Sequence, residues 1–158
     1  MITREELASA PFFGALDEQE QALLAGVARR GSAAAGEAIF KAGERSRTLY
    51  VVIDGLVSLR QKARVGKAET TMAAGRPGEV IGVSAMLEGE GVHSVSGVCL
   101  EATEFIELDV PDLMKALEAE PAVGLRILRR LTLLLAERLA AARAQLGSQT
   151  REGLISHG

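Results

Sequence analysis

Apolar residues change their spacing twice along the chain, and the two changes divide it into three stretches. Up to about residue 30 the spacing is helical. Asp17 followed three positions later by Glu20 has the pattern of a capping box, and Ala22, Leu23, Leu24 and Val27 then form one apolar face. Two short helices are predicted over residues 1–30, with Phe12 and Phe13 pinning them to the body of the fold. From about Ser32 to Leu108 the pattern becomes short runs of strand-favouring residues, "EAIFKAGE", "TLYVVIDG", "LVSLRQ", "ETTMAAGRPGE", "HSVSGVCLE" and "EFIELD", closed by Gly, Asp-Gly or Pro-Gly. Turn signals every eight to twelve positions predict an antiparallel β-roll or small jelly-roll barrel over residues 31–109. Asp54-Gly55 fits a tight hairpin, because glycine accepts the positive φ such a turn needs.

After Asp109 the helical rhythm returns, over residues 110–147. Pro111 and Pro121 each suit the first turn of a helix, where a missing N–H costs nothing. The second helix is predicted from Pro121 to about Leu146, ending at Gly147 as a C′ residue, with 148–158 a frayed tail. It would be nearly ~40 Å long, more than the body of a domain this size. Leu128, Leu131, Leu135, Leu139, Ala142 and Leu146 form one stripe at spacings of three and four, and Leu125, Ile127, Leu133 and Leu134 widen it. One face is expected on the roll and another on the same helix of a second copy, a homodimer through residues 121–146. The plainer reading is one packed face and some exposed leucine. Arg126, Arg129, Arg130, Glu137, Arg138 and Arg143 are expected mostly along a solvated edge.

Composition narrows the partners. Of 158 residues, 47% are apolar and 25% charged, which is globular rather than disordered. A net charge of −3 argues against a free-standing nucleic-acid binder, whose affinity comes from clustered Lys and Arg. A single cysteine, Cys99, excludes an intramolecular disulfide and a Cys-based zinc site. No apolar run is long enough for a membrane span, and "MITREELAS" lacks a signal peptide's apolar core, so a cytoplasmic, bacterial-type protein is expected.

The segment most suggestive of binding is 78–97, "GEVIGVSAMLEGEGVHSVSG". Gly82 precedes Val83-Ser84-Ala85-Met86, a small-residue run able to make one helical turn whose free N–H groups attract an anion. Yet no Arg or Lys occurs from Val80 to Leu100.

The succession of helix, glycine-punctuated roll, Gly-Glu-x-x-Gly segment, further roll and long helix resembles the cyclic nucleotide-binding domain of the CRP/FNR regulators. The likeness runs from Pro11 to Gly147 and is carried by "PFFGALDEQE", "AGEAIFKAGERSRTLYVVIDGLVSL", "RPGEVIGVSAML" and "ATEFIELD". It implies a mainly β fold with flanking helices, an antiparallel roll and a long C-terminal helix. In that family the cradle glycine is followed by a Glu for the ribose, and ten residues later by an Arg for the cyclic phosphate, then Ser or Thr. Here Gly82 keeps its place, Val83 stands for the Glu, His93 for the Arg, and Ser94 retains the hydroxyl. On the long helix, where some members contact the purine with Thr-Ser, this chain has Ala142-Arg143.

A guanidinium is a permanently charged fork, whereas imidazole, with a pKa near ~6.5, is mostly neutral at pH 7. Losing two charge-assisted hydrogen bonds of about 1.5–3 kcal/mol each weakens a nucleotide by roughly two to four powers of ten. Micromolar recognition of cAMP or cGMP is therefore not expected. The neutral lining of Val83, Ala85, Met86 and His93 favours a less charged or more apolar ligand.

Three readings of His93 stay open: a hydrogen-bonded strand histidine, a donor to an anionic ligand, or an axial ligand to haem, which some relatives of this fold bind. Cys99, about 20 Å further along the strand direction, cannot share a metal with it and is expected as buried filler. Arg143 either reaches the cradle mouth or is solvated, and Arg45 and Arg47 are expected at the surface. Ser94 and Ser96 lack a His/Asp constellation, and the other histidine, His157, falls in the tail, so catalysis is not expected. After the long helix only "SQTREGLISHG" remains, too short for a helix-turn-helix reader, so no direct DNA binding is expected either. Two functions follow: a homodimeric sensor whose pocket takes a small molecule and whose helix signals to a downstream protein, or a dimerisation and docking module with a vestigial pocket.

Overall fold

The computed structural model describes residues 2–61, 68–87 and 91–155; residues 88–90 of the cradle segment and His157 of the tail lie outside it. Three helices precede the strands, one more than the periodicity predicts: α1 (Arg4–Ala8), α2 (Pro11–Gly14) and α3 (Glu18–Ala25). Reciprocal capping boxes, Thr3 with Glu6 and Asp17 with Glu20, open α1 and α3. The four residues of α2 span little more than a turn, too few to show a period.

Among the described residues eight strands follow: β1 (Ala28–Ala33), β2 (Ala38–Phe40), β3 (Thr48–Asp54), β4 (Val57–Gln61), β5 (Thr70–Gly75), β6 (Val80–Ile81), β7 (Ser96–Cys99) and β8 (Thr103–Asp109). They make two antiparallel four-stranded sheets, ordered β1-β8-β3-β6 and β2-β7-β4-β5. The strands begin at Ala28, so the predicted helical stretch 1–30 ends too late. Its last residues, in "ARRGSA", show no alternation and are held by register on β8, from Ala28 opposite Leu108 to Ala33 opposite Thr103. Gly31 is required there, since a Cβ would lie 2.4 Å from the Phe105 ring.

The sheet containing β3 is buried on both faces, which explains the nearly continuous apolar run "LYVVI". Leu49 and Val51 join Phe13, Leu24, Ile106 and Leu113 beneath the helices. Val52 points the other way, into the space between the sheets with Phe40, Val57, Leu59, Ile81 and Cys99. Asp54-Gly55 is not a hairpin. β3 and β4 belong to different sheets, and Gly55, at φ +96°, carries the chain from one to the other against Thr103.

The roll ends in α4 (Val110–Ala119) and α5 (Pro121–Ile155). Val110, Leu113 and Leu117 bury one face of α4. Gly124 lets α5 close onto α4, where a Cβ would meet the Leu117 carbonyl oxygen at 2.4 Å. Val123, Ile127 and Leu131 then seat the first turns of α5 in the core.

Helix α5 does not stop at Gly147 but continues to Ile155, where a frayed tail was expected. Gly147 is not in the left-handed conformation of a C′ residue. A glycine in an exposed helix costs only about 1 kcal/mol relative to alanine, and the good helix formers Ala144, Gln145 and Leu146 precede it, with Gln149 and Arg151 after it. The helix is thus about 50 Å long.

Glu20 fastens α5 to α3. It is fully buried, and its carboxylate accepts from the Asp17 amide at 2.9 Å while facing Arg126 Nε at 3.3 Å and Arg130 Nε at 3.2 Å. These two arginines are tethers as well as part of the half-exposed edge, with side chains 40% and 43% exposed.

Candidate functional site

The turn Arg76–Glu79 places Pro77 and then Gly78, at φ +87°, where the chain reverses, and the Glu79 carboxylate accepts from the Arg76 amide at 2.8 Å. Strand β6 follows, then Gly82 at φ +77°, ψ +25°. Any side chain at Gly82 would put its Cβ 2.8 Å from the Thr48 carbonyl oxygen. This glycine starts a 3₁₀ turn, Val83–Met86, in which the Ala85 amide bonds back to the Gly82 carbonyl at 3.1 Å. The Val83 and Ser84 amides, first in the turn, have no acceptor within it.

Beside this turn lies a cavity of about 680 Å³. The roll supplies its floor, including Phe40, Leu59, Ile81 and His93. Strand β5 forms one wall, and α5 crosses the mouth with Leu135, Arg138, Leu139 and Ala142. Met72, Val83 and Leu139 are exposed along the rim. Among the described residues the cavity is bordered mainly by neutral groups; Arg76, Glu79, Arg138 and His93 are the titratable side chains among them.

His93 is 6% exposed and lies flat on the Phe40 ring, with centroids 4.2 Å apart and planes 16° apart. Its Nδ1 is 3.3 Å from Ser46 Oγ, and its main chain pairs with Glu44 and Gly43. Burial holds its pKa below the usual histidine value, only partly opposed by the charge of Glu44. At neutral pH the ring is therefore uncharged and does not replace a guanidinium.

The sequence-predicted residues separate in space. Gly82, Val83, Ser84, His93, Ser94 and Ala142 all border the cavity. Ala85 and Met86 do not. They turn the other way, toward a groove of about 290 Å³ with Arg45, Arg47, Pro111 and Met114. Arg143 is exposed and away from the lining, and Arg138, expected at the solvated edge, takes the place considered for it. The Arg138 guanidinium donates from Nη1 to the Val80 carbonyl, fastening α5 to β6. Arg138 lies seven residues after buried Leu131, two turns along the same face, and that spacing was the signal available in the sequence. Leu131 belongs to the protomer's own core at 7% exposure, so it is not available to a dimer interface.

The cyclic nucleotide-binding domain family model matches residues 30–120, more than half of the chain. The chain belongs to the cyclic nucleotide-binding domain family. Solved structures agree. A cyclic nucleotide-binding domain from Methylobacillus flagellatus is 23% identical with a TM-score of 0.77, over 90% of this chain and 79% of that one. The N-terminal domain of a transcriptional regulator from Streptomyces coelicolor is 28% identical with a TM-score of 0.68, over 85% and 93%. The catabolite activator protein of Thermus thermophilus is 32% identical with a TM-score of 0.69, over 89% of this chain but only 63% of that one. No curated protein matches the chain in sequence.

Within this cyclic nucleotide-binding domain, the residues present fit a cyclic nucleotide poorly. No carboxylate stands at Val83 for the ribose, and at His93 a neutral, stacked imidazole stands where the phosphate would need a charged fork. For haem, Ser46 at Nδ1 leaves Nε2 of His93 as the nitrogen an iron would need, on a ring that is only 6% exposed. Among the described residues no group of three or more His, Cys, Asp or Glu could hold a metal ion, and no helix is long and apolar enough to cross a membrane.

Proposed function

We propose that this chain is a regulatory sensor domain that binds a small molecule in the cavity under α5, acts as a homodimer, and signals to a protein partner through α5. The observation carrying this reading is the joint lining: roll, 3₁₀ turn and α5 all contribute to one open cavity of about 680 Å³, so a ligand there touches the helix that would transmit. Switching requires the ligand to contact two arrangements of that helix differently. The ligand site comprises Gly82, Val83, Ser84, His93, Ser94, Arg138 and Ala142. The dimer face is the series Leu125, Leu128, Thr132, Leu135, Leu139, Ala142 and Leu146, alternately three and four apart, with Leu125 and Leu139 more than half exposed.

Calorimetry against cAMP, cGMP, c-di-GMP and haem, with light scattering for mass, tests the reading. Weak or absent cAMP binding is expected in the native chain. Restoring the missing groups in Val83→Glu with His93→Arg should raise cAMP affinity by roughly two to four powers of ten. Failure of that variant to bind, while folded, would mean the cavity is closed to ligands. The exposed leucines of α5 support a second reading, a docking module without ligand, which that failure would favour.

A further inference from the structure

Among the described residues that line the cavity, cations and anions do not cancel. Glu79 sits beside Arg76 in one tight turn, its carboxylate accepting from the Arg76 amide, so this turn brings one positive and one negative charge to the cavity and no net charge. His93 is stacked on Phe40 and buried. Arg138 is the remainder: half-buried, donating to the neutral Val80 carbonyl, and paired with no carboxylate among the described residues. A guanidinium carries five N–H donors, so its bond to Val80 leaves donors over. The apolar part of the lining includes Leu59, Met72, Ile81, Val95, Leu135 and Leu139, and its uncharged polar part is Thr71, Ser84, Ser94 and Gln145.

We infer that the cavity takes a singly charged, mainly apolar anion, its acid group held by Arg138 and its body by the surrounding leucine, isoleucine and valine side chains. This rests on the cavity being a ligand site and adds the chemical class of the ligand. A second negative charge would have no second uncompensated cation among the described residues, which is costly, and a neutral molecule would leave the guanidinium without an anion. The acid group and the Val80 carbonyl then share one guanidinium, so the ligand's charge acts directly at the contact between α5 and β6.

The test uses two probes with one ring system. 1-Anilinonaphthalene-8-sulfonate carries one negative charge; N-phenyl-1-naphthylamine carries none; both brighten on burial. Fluorescence titration of the full chain should show the sulfonate binding at least about tenfold more tightly than the amine. Arg138→Met should weaken the sulfonate by about tenfold or more while leaving the amine within about twofold. Equal affinities, or a sulfonate affinity unchanged in Arg138→Met, would overturn the assignment of charge and leave the ligand-site reading standing. Ala142→Trp, which fills the mouth, should abolish both signals, with thermal unfolding confirming that each variant is folded. Binding that survives Ala142→Trp lies elsewhere and counts against the inference, and a native chain that binds neither probe overturns the ligand-site reading itself.

Discussion

Replacing Glu20 tests whether α5 is held in place by a single buried carboxylate. Glu20 is fully buried and receives the Asp17 amide, Arg126 Nε and Arg130 Nε within 2.9–3.3 Å. A wholly buried ion pair costs 3–5 kcal/mol to break from one side, because the remaining charge is stranded. Here the guanidinium side chains are 40% and 43% exposed and can be rehydrated, so that figure must be discounted. Glu20→Gln keeps an oxygen for the Asp17 amide but turns an NH₂ toward one arginine and removes the charge. The cost is then about one charge-assisted hydrogen bond, discounted for solvent to about 1–2 kcal/mol. Glu20→Ala also loses the cap, about 1 kcal/mol, and leaves a small void, for about 3–4 kcal/mol in all. At 2–4 °C per kcal/mol for a chain of this size, the melting midpoint should fall by roughly 2–8 °C for the amide and 6–16 °C for alanine. Urea unfolding gives the free energies directly. A Glu20→Gln protein within about 0.5 kcal/mol of the native one would show that the Glu20 charge is dispensable and that α5 is held by Val123, Ile127 and Leu131 together with its contacts to Asp17, Gln19 and Val80.

Gly82→Ala should cost about 2 kcal/mol or more in urea unfolding, since alanine at φ +77° is strained and its Cβ meets the Thr48 carbonyl; a loss below about 0.5 kcal/mol would refute the turn geometry. Gly124→Ala should be similarly destabilising because α4 and α5 would have to separate from a 2.4 Å contact, although alanine is the better helix former. Leu139→Asp should halve the mass seen by light scattering, whereas Leu133→Asp, on another face of α5, should not. His93 has a lowered pKa, so below its unfolded value of 6.5 the unfolded chain takes up the proton first, and stability present above pH 6.5 is lost as pH falls toward the folded pKa. His93→Gln should remove that part of the decline between pH 6.5 and 5, above the range where carboxylates titrate, and unfolding curves across that interval that stay parallel for both proteins would contradict it.

The roll was legible because its strands are bounded by glycines with positive φ. Gly36, Gly43, Gly55 and Gly78 stand at turns and Gly82 just before the 3₁₀ turn, and each is visible in sequence as a break in a strand-favouring run. What sequence could not provide was which sheet a strand joins. "VIDGLV" has every local mark of a hairpin, but pairing is decided by non-local partners: β8 lies beside β3, and β7 beside β4. β1 was missed for a related reason, since its exposed arginines erase the alternation and only β8 opposite defines it as a strand.

The candidate site was half legible, and the dividing line is whether a residue's place depends on backbone or on helix phase. Gly82, Val83 and Ser84 follow from a local turn, and His93, three residues before β7, is held by main-chain bonds to Gly43 and Glu44; all four border the cavity together. The arginine did not follow from local pattern. Starting from buried Leu131 and advancing about 100° per residue, Arg138 returns to within about 20° of the same face, while Arg143 lies about 120° away. The apolar stripe obscured this, because it merges two faces. Leu131 looks inward, Leu139 is half exposed, and Leu135 between them serves the cavity. Only the burial of Val123, Ile127 and Leu131, set by the Glu20 fork and the Gly124 contact, fixes the phase of the helix. That phase carries Arg138 to the cavity mouth about 12 Å beyond Arg130. The charge presented to a ligand is thus set by how α3 and α4 grip the start of α5, which is why a substitution at Glu20 should alter sulfonate affinity as well as stability.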